Sequence, residues 1–258
     1  MHILISNDDG IEAPGLAALE EAMAGLGEVW VVAPADPQSA KSHALTLHKN
    51  VQLFQHGPQR FSVGGTPADS VYVGIHHVMP APPDLVISGI NRGANIGEDV
   101  HYSGTVAAAR EGVLQGYKAI AVSLHVDFSR PIESHNWTTA GQQARRLAAE
   151  VLEREIGENC LLNLNVPDIP LDALKGIKAC ALGHHFYSPL VEEREEPFGK
   201  GFYKLGGEHS NFGPDVPSEG HFVEAGWASL SPLTVRVTDR TVLETLGDWQ
   251  SVDSIHSE

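Results

Sequence analysis

Two adjacent carboxylates, Asp8 and Asp9, follow directly on the apolar run Ile3-Leu4-Ile5-Ser6-Asn7 and precede Gly10. Side by side they repel, and the repulsion is relieved by sharing a proton or by holding a cation. A glycine-rich dinucleotide turn offers bare backbone N–H groups to a pyrophosphate, whereas this turn offers negative charge. A phosphate is therefore expected here only with a metal between. Three later segments bring groups that complement such a pair. Ala33-Pro34-Ala35-Asp36-Pro37-Gln38-Ser39-Ala40-Lys41-Ser42-His43 supplies hydroxyls and a lysine. Ser88-Gly89-Ile90-Asn91-Arg92-Gly93-Ala94-Asn95 supplies Asn91, whose amide oxygen is a hard neutral donor able to complete a carboxylate shell around Mg²⁺ or Mn²⁺. Tyr102-Ser103-Gly104-Thr105 opens a small-residue helix, and such a start presents free N–H groups and hydroxyls to a phosphate.

Each segment also has a local structural explanation. Ser39 and Ser42 are ordinary turn residues, Asn91 and Asn95 are at home in a glycine-rich loop with positive φ, and Ser103 is a preferred N-cap. Thr66-Pro67-Ala68-Asp69 reads as a capping box with proline at the first helical position. What favours chemistry is that four signals land on one edge of one expected sheet.

The elements that must position them are legible from periodicity. Short apolar strands, Val29–Ala33, Leu85–Ser88, Ala119–Ser123 and Leu161–Val166, alternate with amphipathic stretches at Gly15–Gly25, Ala68–Val78, Val106–Gly116 and Thr138–Glu155. That alternation predicts crossover connections and a three-layer, doubly wound, mainly parallel Rossmann-like α/β sheet, whose ligands bind beyond the carboxyl ends of the strands. Val51–Val63 is more polar and alternating, as in a small hairpin after the second strand. From Gly183 to Gly226 the pattern turns to Gly, Pro, Glu and aromatics without helical period. Phe186, Tyr187, Phe198, Phe202 and Tyr203 predict an ordered arm there rather than a loose loop, and Pro189, Pro197, Pro214 and Pro217 predict an extended excursion packing on another subunit. Residues 227–258 are expected to return to the core.

Composition narrows the classes. A chain of 258 residues with 42% hydrophobic positions suits one sizeable domain. Seventeen Lys and Arg against 33 Asp and Glu give −16, which disfavours nucleic acid polymers and anionic membranes. Phosphorylated small molecules remain compatible because a bound divalent ion reverses the local sign. Cys160 and Cys180 are too few for a disulfide framework, and together with the lack of a signal-like N-terminus they give the expectation of a reduced, soluble, cytoplasmic protein.

Ser6-Asn7-Asp8-Asp9-Gly10-Ile11 with Ala13-Pro14-Gly15, Val32-Ala33-Pro34, Gly65-Thr66-Pro67-Ala68-Asp69, Ser88 to Asn95, and Tyr102 to Ala109 resemble, in order, the motifs of the SurE family of survival protein E nucleotidases. Leu164-Asn165-Val166-Pro167 and Gly226-Trp227-Ala228-Ser229-Leu230-Ser231-Pro232-Leu233 extend the resemblance. It implies a 5′/3′-nucleotidase that uses one divalent ion per subunit, Mg²⁺ or Mn²⁺, on nucleoside monophosphates and also on short polyphosphate. The implied ligands are Asp8, Asp9, Ser39 and Asn91, with Ser42, Asn95, Ser103, Gly104 and Thr105 around the phosphate. It also implies assembly as a homodimer or homotetramer through the C-terminal extension. Two departures stand out: Ala40-Lys41-Ser42-His43-Ala44 where the family has Gly-Ala-Ser-Asn-Ser, and Ser218-Glu219 where it has Thr-Asp. Lys41 and His43 are the sequence's only nearby hints of a general base.

Direct attack of water is the expected route, since carboxylates committed to one cation are poor nucleophiles and the DxD spacing of aspartyl-phosphate enzymes is absent. Two other classes share some of these signals. A metal-dependent nucleotide-sugar transferase would need a second, acceptor-binding domain for which the length leaves little room. A non-catalytic nucleotide sensor would bind without turnover.

Overall fold

The structure, a computed structural model, describes residues 1–196, 199–207, 209–212, 217–246, 248 and 249. Strand β1 (His2–Ser6) is buried on both faces, so its sequence is a continuous apolar run rather than an alternating one. The chain then forms helix α1 (Pro14–Met23), β2 (Glu28–Pro34), the hairpin strands β3 (Leu53–Gly57) and β4 (Arg60–Val63), α2 (Pro67–Val73), β5 (Leu85–Arg92), α3 (Gly104–Leu114), β6 (Ala119–His125), α4 (Trp137–Glu153), β7 (Cys160–Pro167) and β8 (Ile177–Ala179). Beyond them come β9 (His185–Tyr187), β10 (Leu190–Glu196), β11 (Gly199–Gly206), β12 (His209–Phe212), α5 (Glu219–Glu224), β13 (Ala228–Thr234) and α6 (Arg240–Leu246).

Nine strands make one sheet in the order β3-β4-β2-β1-β5-β6-β7-β13-β8. The neighbours from β4 to β7 are all parallel, while β3 runs antiparallel to β4 and β13 antiparallel to β7. From β1 the chain first winds outward through β2, then returns to place β5 on the opposite side of β1. The winding direction reverses at β1, and a cleft opens past the carboxyl end of that strand.

Helices cover both faces. Ile3 and Ile5 of β1 join Leu16, Leu19, Ile87 and Leu147 in the core beneath α1 and α4, whereas Leu4 faces Val32, Val71, Val86 and Val106 beneath α2 and α3. That split is the two-residue alternation of a strand read on both sides. The capping box at α2 forms as expected: Thr66 Oγ1 accepts from Asp69 N at 3.1 Å, and Asp69 Oδ2 accepts from Thr66 N at 2.8 Å. Asp69 also accepts from Thr46 N and Oγ1, which ties down the end of the loop after β2.

The described part of the arm differs from an extended excursion. β10 pairs antiparallel with β11 and β9 with β12, two separate ladders outside the main sheet. Leu190, Val191, Tyr203 and Leu205 on the β10–β11 hairpin are exposed. Phe198, Pro197 and Pro214 lie outside the described residues. The arm is also shorter than the stretch to Gly226, because α5 packs on β7 and β13 as part of the core, with Glu219 and Val223 buried. Glu219 accepts from Gly97 N at 2.6 Å and from Gly183 N at 2.7 Å, so this departure from the family's aspartate joins the root of the arm to the loop after β5. Of the C-terminal return, β13 enters the sheet between β7 and β8, α6 buries no side chain, and residues 250–258 are outside the described set.

Candidate active site

The turn after β1 is closed by one buried side chain. Asn7 donates from Nδ2 to Gly10 O at 2.9 Å and accepts from Gly10 N at 3.2 Å, holding Asp8 and Asp9 at the reversal point of the sheet. The Asp8 carbonyl accepts from Gln38 N at 2.7 Å, which brings the loop carrying Ser39 alongside.

Asp8 is buried at 4% exposure and accepts a short hydrogen bond from the Thr105 hydroxyl. Burial, reinforced by the charge of Asp9, pushes its carboxyl up to about 6, and the Thr105 bond partly offsets this. Asp9 is half-buried, and burial raises it too, against the peptide N–H of Arg92 at 3.1 Å and the Arg92 charge. Gly104 lies so close behind Asp8 that a Cβ there would sit 2.7 Å from the Asp8 Cβ. The start of α3 can support Asp8 only because that position has no side chain.

Asn91 reaches the site through an irregularity. The β5–β6 register shifts between Ser88 and Asn91, around Gly89 at φ +139, where a Cβ would stand 2.3 Å from Val122 O. The Asn91 amide then donates from Nδ2 to Gly93 O at 2.8 Å, which leaves its oxygen as the free end. Neither Asn91 nor Asn95 takes the positive φ expected of a loop asparagine; Gly89, Gly93 and Gly97 take it instead. Asn95 is buried and fixed from the ends of β6 and β7, with its N–H on Asn165 Oδ1 at 2.8 Å and its amide on Ser123 Oγ at 2.8 Å.

A cavity of about 720 Å³ lies over these groups, lined by Asp8, Asp9, Ser39, Asn91, Asn95 and Ser103 among others. Ser103 also caps α3, accepting from Val106 N at 3.0 Å. Gly104 and Thr105 stand behind Asp8 rather than in the lining. Ser42, at φ +51, spends its N–H on Tyr102 O at 3.1 Å and is likewise outside the lining. The two departures next to it do not face the cavity either. His43 Nε2 is 2.7 Å from Glu111 Oε2 on α3, and Lys41 is exposed.

The cavity wall also contains Arg92, Asp99, His125, Phe128, His185, Tyr187 and Glu224, none of them singled out by sequence except in passing. His185 Nδ1 lies 2.6 Å from Asp99 Oδ2, and the Tyr187 hydroxyl donates to the same oxygen at 2.8 Å. Only the fold-back of the arm brings these residues near, and nothing in local periodicity encodes it.

The donor set fits a hard divalent cation: two carboxylates, an amide oxygen and a hydroxyl face one space. Among the described residues no group of three or more His, Cys, Asp or Glu is arranged to hold a metal. A cation on Asp8 and Asp9 would therefore complete its shell with neutral oxygens. The family model described as Survival protein SurE matches residues 3–189. The chain belongs to the SurE family. It is 43% identical over 250 residues to a Geotalea daltonii protein named 5′-nucleotidase SurE, covering 97% of this chain and 99% of that one. A Rhodospirillum rubrum protein of the same name is 42% identical over 245 residues, covering 95% and 94%. The crystal structure of the SurE protein from Aquifex aeolicus superposes with a TM-score of 0.84 at 33% identity, over 96% of this chain and 99% of that one. No helix among the described residues is long and apolar enough to cross a membrane.

Proposed function

We propose that this SurE chain is a divalent-metal-dependent phosphatase that hydrolyses nucleoside 5′- and 3′-monophosphates to nucleoside and phosphate, and short-chain polyphosphate as well. The observation that carries the reading is the buried Asp8 and half-buried Asp9 lining one cavity with Asn91 and with Ser103 at the α3 N-terminus. Asp8, Asp9, Ser39 and Asn91 would hold one Mg²⁺ or Mn²⁺ per subunit. When bound, such an ion polarises a phosphoryl oxygen, lowers the pKa of water and neutralises charge on the leaving oxygen.

The remaining work belongs to the chain. Burial shifts both Asp8 and Asp9 toward protonation, and a bound cation would offset that shift in favour of the ionised pair. The Thr105 hydroxyl orients Asp8, and the Arg92 peptide N–H orients Asp9. Ser103 and the first N–H groups of α3 face phosphate oxygens, helped by the positive end of the helix dipole; Asn95, pinned by Ser123 and Asn165, borders the same space. Water adds to phosphorus, the P–O ester bond breaks, and the nucleoside oxygen takes up a proton. With Asp8 hydrogen-bonded and shared with a cation, an aspartyl-phosphate is disfavoured.

We place the protein in the cytoplasm as a homodimer or homotetramer; free Cys160 and Cys180 and the exposed apolar hairpin of the arm support that setting. The deciding experiment is phosphate release from AMP in EDTA and after adding Mn²⁺ or Mg²⁺, with Asp8→Asn beside the parent. Release that stops in EDTA, returns with metal and is nearly lost in Asp8→Asn is expected. AMP binding without turnover under every condition would make the protein a sensor, and full activity of Asp8→Asn at saturating metal would remove Asp8 from the site.

A further inference from the structure

We infer that Phe128 is the platform on which the nucleobase of the substrate stacks, an assignment that rests on the nucleotidase reading above and extends it to recognition of the base. Phe128 is a phenylalanine left 65% exposed, yet it lines the same cavity as Asp8 and Asp9. One of its faces is already used: the Arg92 guanidinium carbon lies 5.2 Å from the ring centroid. The ring edge rests over Gly93, where an added Cβ would come within 3.1 Å of Phe128 Cζ. The ring is thus backed by a cation and by main chain, with its solvent-facing side turned to the cavity. That arrangement suits a neutral aromatic ligand, because a cation on one face leaves the other free for offset stacking.

The position is held in advance. Phe128 is the middle residue of a turn just past β6 in which Asp127 Oδ1 accepts from Ser129 N at 2.9 Å and from Ser129 Oγ at 2.7 Å. The backbone carrying the ring thus needs little further ordering when a base arrives. Arg92 also sets the spacing: its peptide N–H is on Asp9 and its guanidinium is under the ring, so one arginine side chain separates the carboxylates from the platform. A ribose joining phosphate to base has to bridge a gap of that kind. Among the described residues Arg92 Nε is buried without a hydrogen-bond partner, and the guanidinium lies over the Phe128 ring. Stacking reads a π-face common to all bases, so the platform gives affinity for nucleotides over simple phosphate esters with weak discrimination among bases.

The test compares Phe128→Ala and Phe128→Trp with the parent in Mn²⁺, using AMP and ribose 5-phosphate, which lacks the base. The assignment expects Phe128→Ala to lower kcat/KM for AMP relative to ribose 5-phosphate by about five- to a hundredfold, mostly through KM, and Phe128→Trp to restore the ratio. An unchanged ratio in Phe128→Ala overturns it. Calorimetric binding of adenosine, which carries no phosphate, separates the two layers of the argument. Adenosine binding that disappears in Phe128→Ala supports the platform even if AMP is not turned over, an outcome that would sink the nucleotidase reading alone. Equal adenosine binding by parent and variant refutes the platform even if AMP is hydrolysed well.

Discussion

Thr105→Val isolates the one side-chain hydrogen bond that keeps Asp8 ionised. Thr105 is fully buried, and valine keeps its shape while deleting the hydroxyl that donates to Asp8 Oδ1. A hydrogen bond to a charged group contributes about 1.5–3 kcal/mol, all of it here favouring the carboxylate over the carboxylic acid. At about 1.4 kcal/mol per pKa unit, its loss should raise Asp8 by roughly one to two units above the value near 6 that burial already imposes. At pH 7 the metal-free parent is mostly ionised at Asp8, whereas the variant is half to mostly protonated. A cation must then displace that proton, which weakens apparent Mn²⁺ affinity by about two- to tenfold. At pH 9 both proteins are ionised and the difference should close. Calorimetric Mn²⁺ titrations at the two pH values make the comparison, with Thr105→Ser expected to restore the parent. Equal affinity at pH 7, or an equal deficit at pH 9, would show that Thr105 acts through packing and not through Asp8.

In EDTA, stability should fall as pH rises from about 4 to about 6.5: a carboxyl whose folded pKa lies above its unfolded 3.8 contributes stability below 3.8 that is lost as pH passes the folded value. The shift corresponds to about 3 kcal/mol for Asp8, with Asp9 acting in the same direction, and urea unfolding across that range with and without Mn²⁺ should show the metal reversing the loss. Asn91→Ala should weaken Mn²⁺ binding several-fold while costing about 1 kcal/mol for the lost bond to Gly93 O, since water can replace a neutral ligand; a loss of melting temperature with unchanged metal affinity would make Asn91 a turn residue only. Excising residues 189–206 and joining Ser188 to Gly207, which already lie in contact, should reduce the oligomer to a smaller species in light scattering with Mn²⁺ affinity intact. A full-length protein that is monomeric at micromolar concentration would refute the oligomer role of the hairpin.

What could be read from the sequence was what short-range rules determine. Ile3-Leu4-Ile5 is apolar on both faces because helices cover both, and a strand of that kind followed by Asp8-Asp9-Gly10 can only end at the ligand edge of a parallel sheet. Thr66 to Asp69 and Ser103 to Thr105 were legible because capping chemistry is local. Strand partners were not. Nothing in Ala228–Thr234 states that it enters antiparallel between β7 and β8, because periodicity gives the faces of a strand and not its neighbours. The internal pairing of the arm was illegible for the same reason: its Gly and Pro content says nothing of the pairing of β9 with β12 or of the bond from His185 to Asp99, 86 residues apart, which are long-range facts. The loop after β2 erred in the opposite sense: Lys41 and His43 are close to Ser39 in sequence, yet the bond from His43 to Glu111 turns that ring onto α3.

The charge balance of the cavity explains why metal and nucleotide should be studied as a pair. Among the described lining residues, Asp8, Asp9, Asp99 and Glu224 stand against the guanidinium of Arg92, with His125 and His185 nearby, in a chain that already carries −16. A dianionic phosphate entering that field without a counter-ion meets repulsion from the groups placed to receive it, and the N-terminus of α3 supplies only about half an elementary charge of the opposite sign. A divalent ion on Asp8 and Asp9 would cancel the nearest two carboxylates and would leave the phosphate facing Arg92 and the α3 N–H groups. Because the same ion relieves the buried pair, whatever strengthens its binding also strengthens that of the phosphate. Linkage makes the coupling reciprocal: the factor by which Mn²⁺ tightens AMP must equal the factor by which AMP tightens Mn²⁺. On the proposed reading, this acidic wall, ill-suited to a phosphate by itself, would make recognition of the nucleotide conditional on the cation.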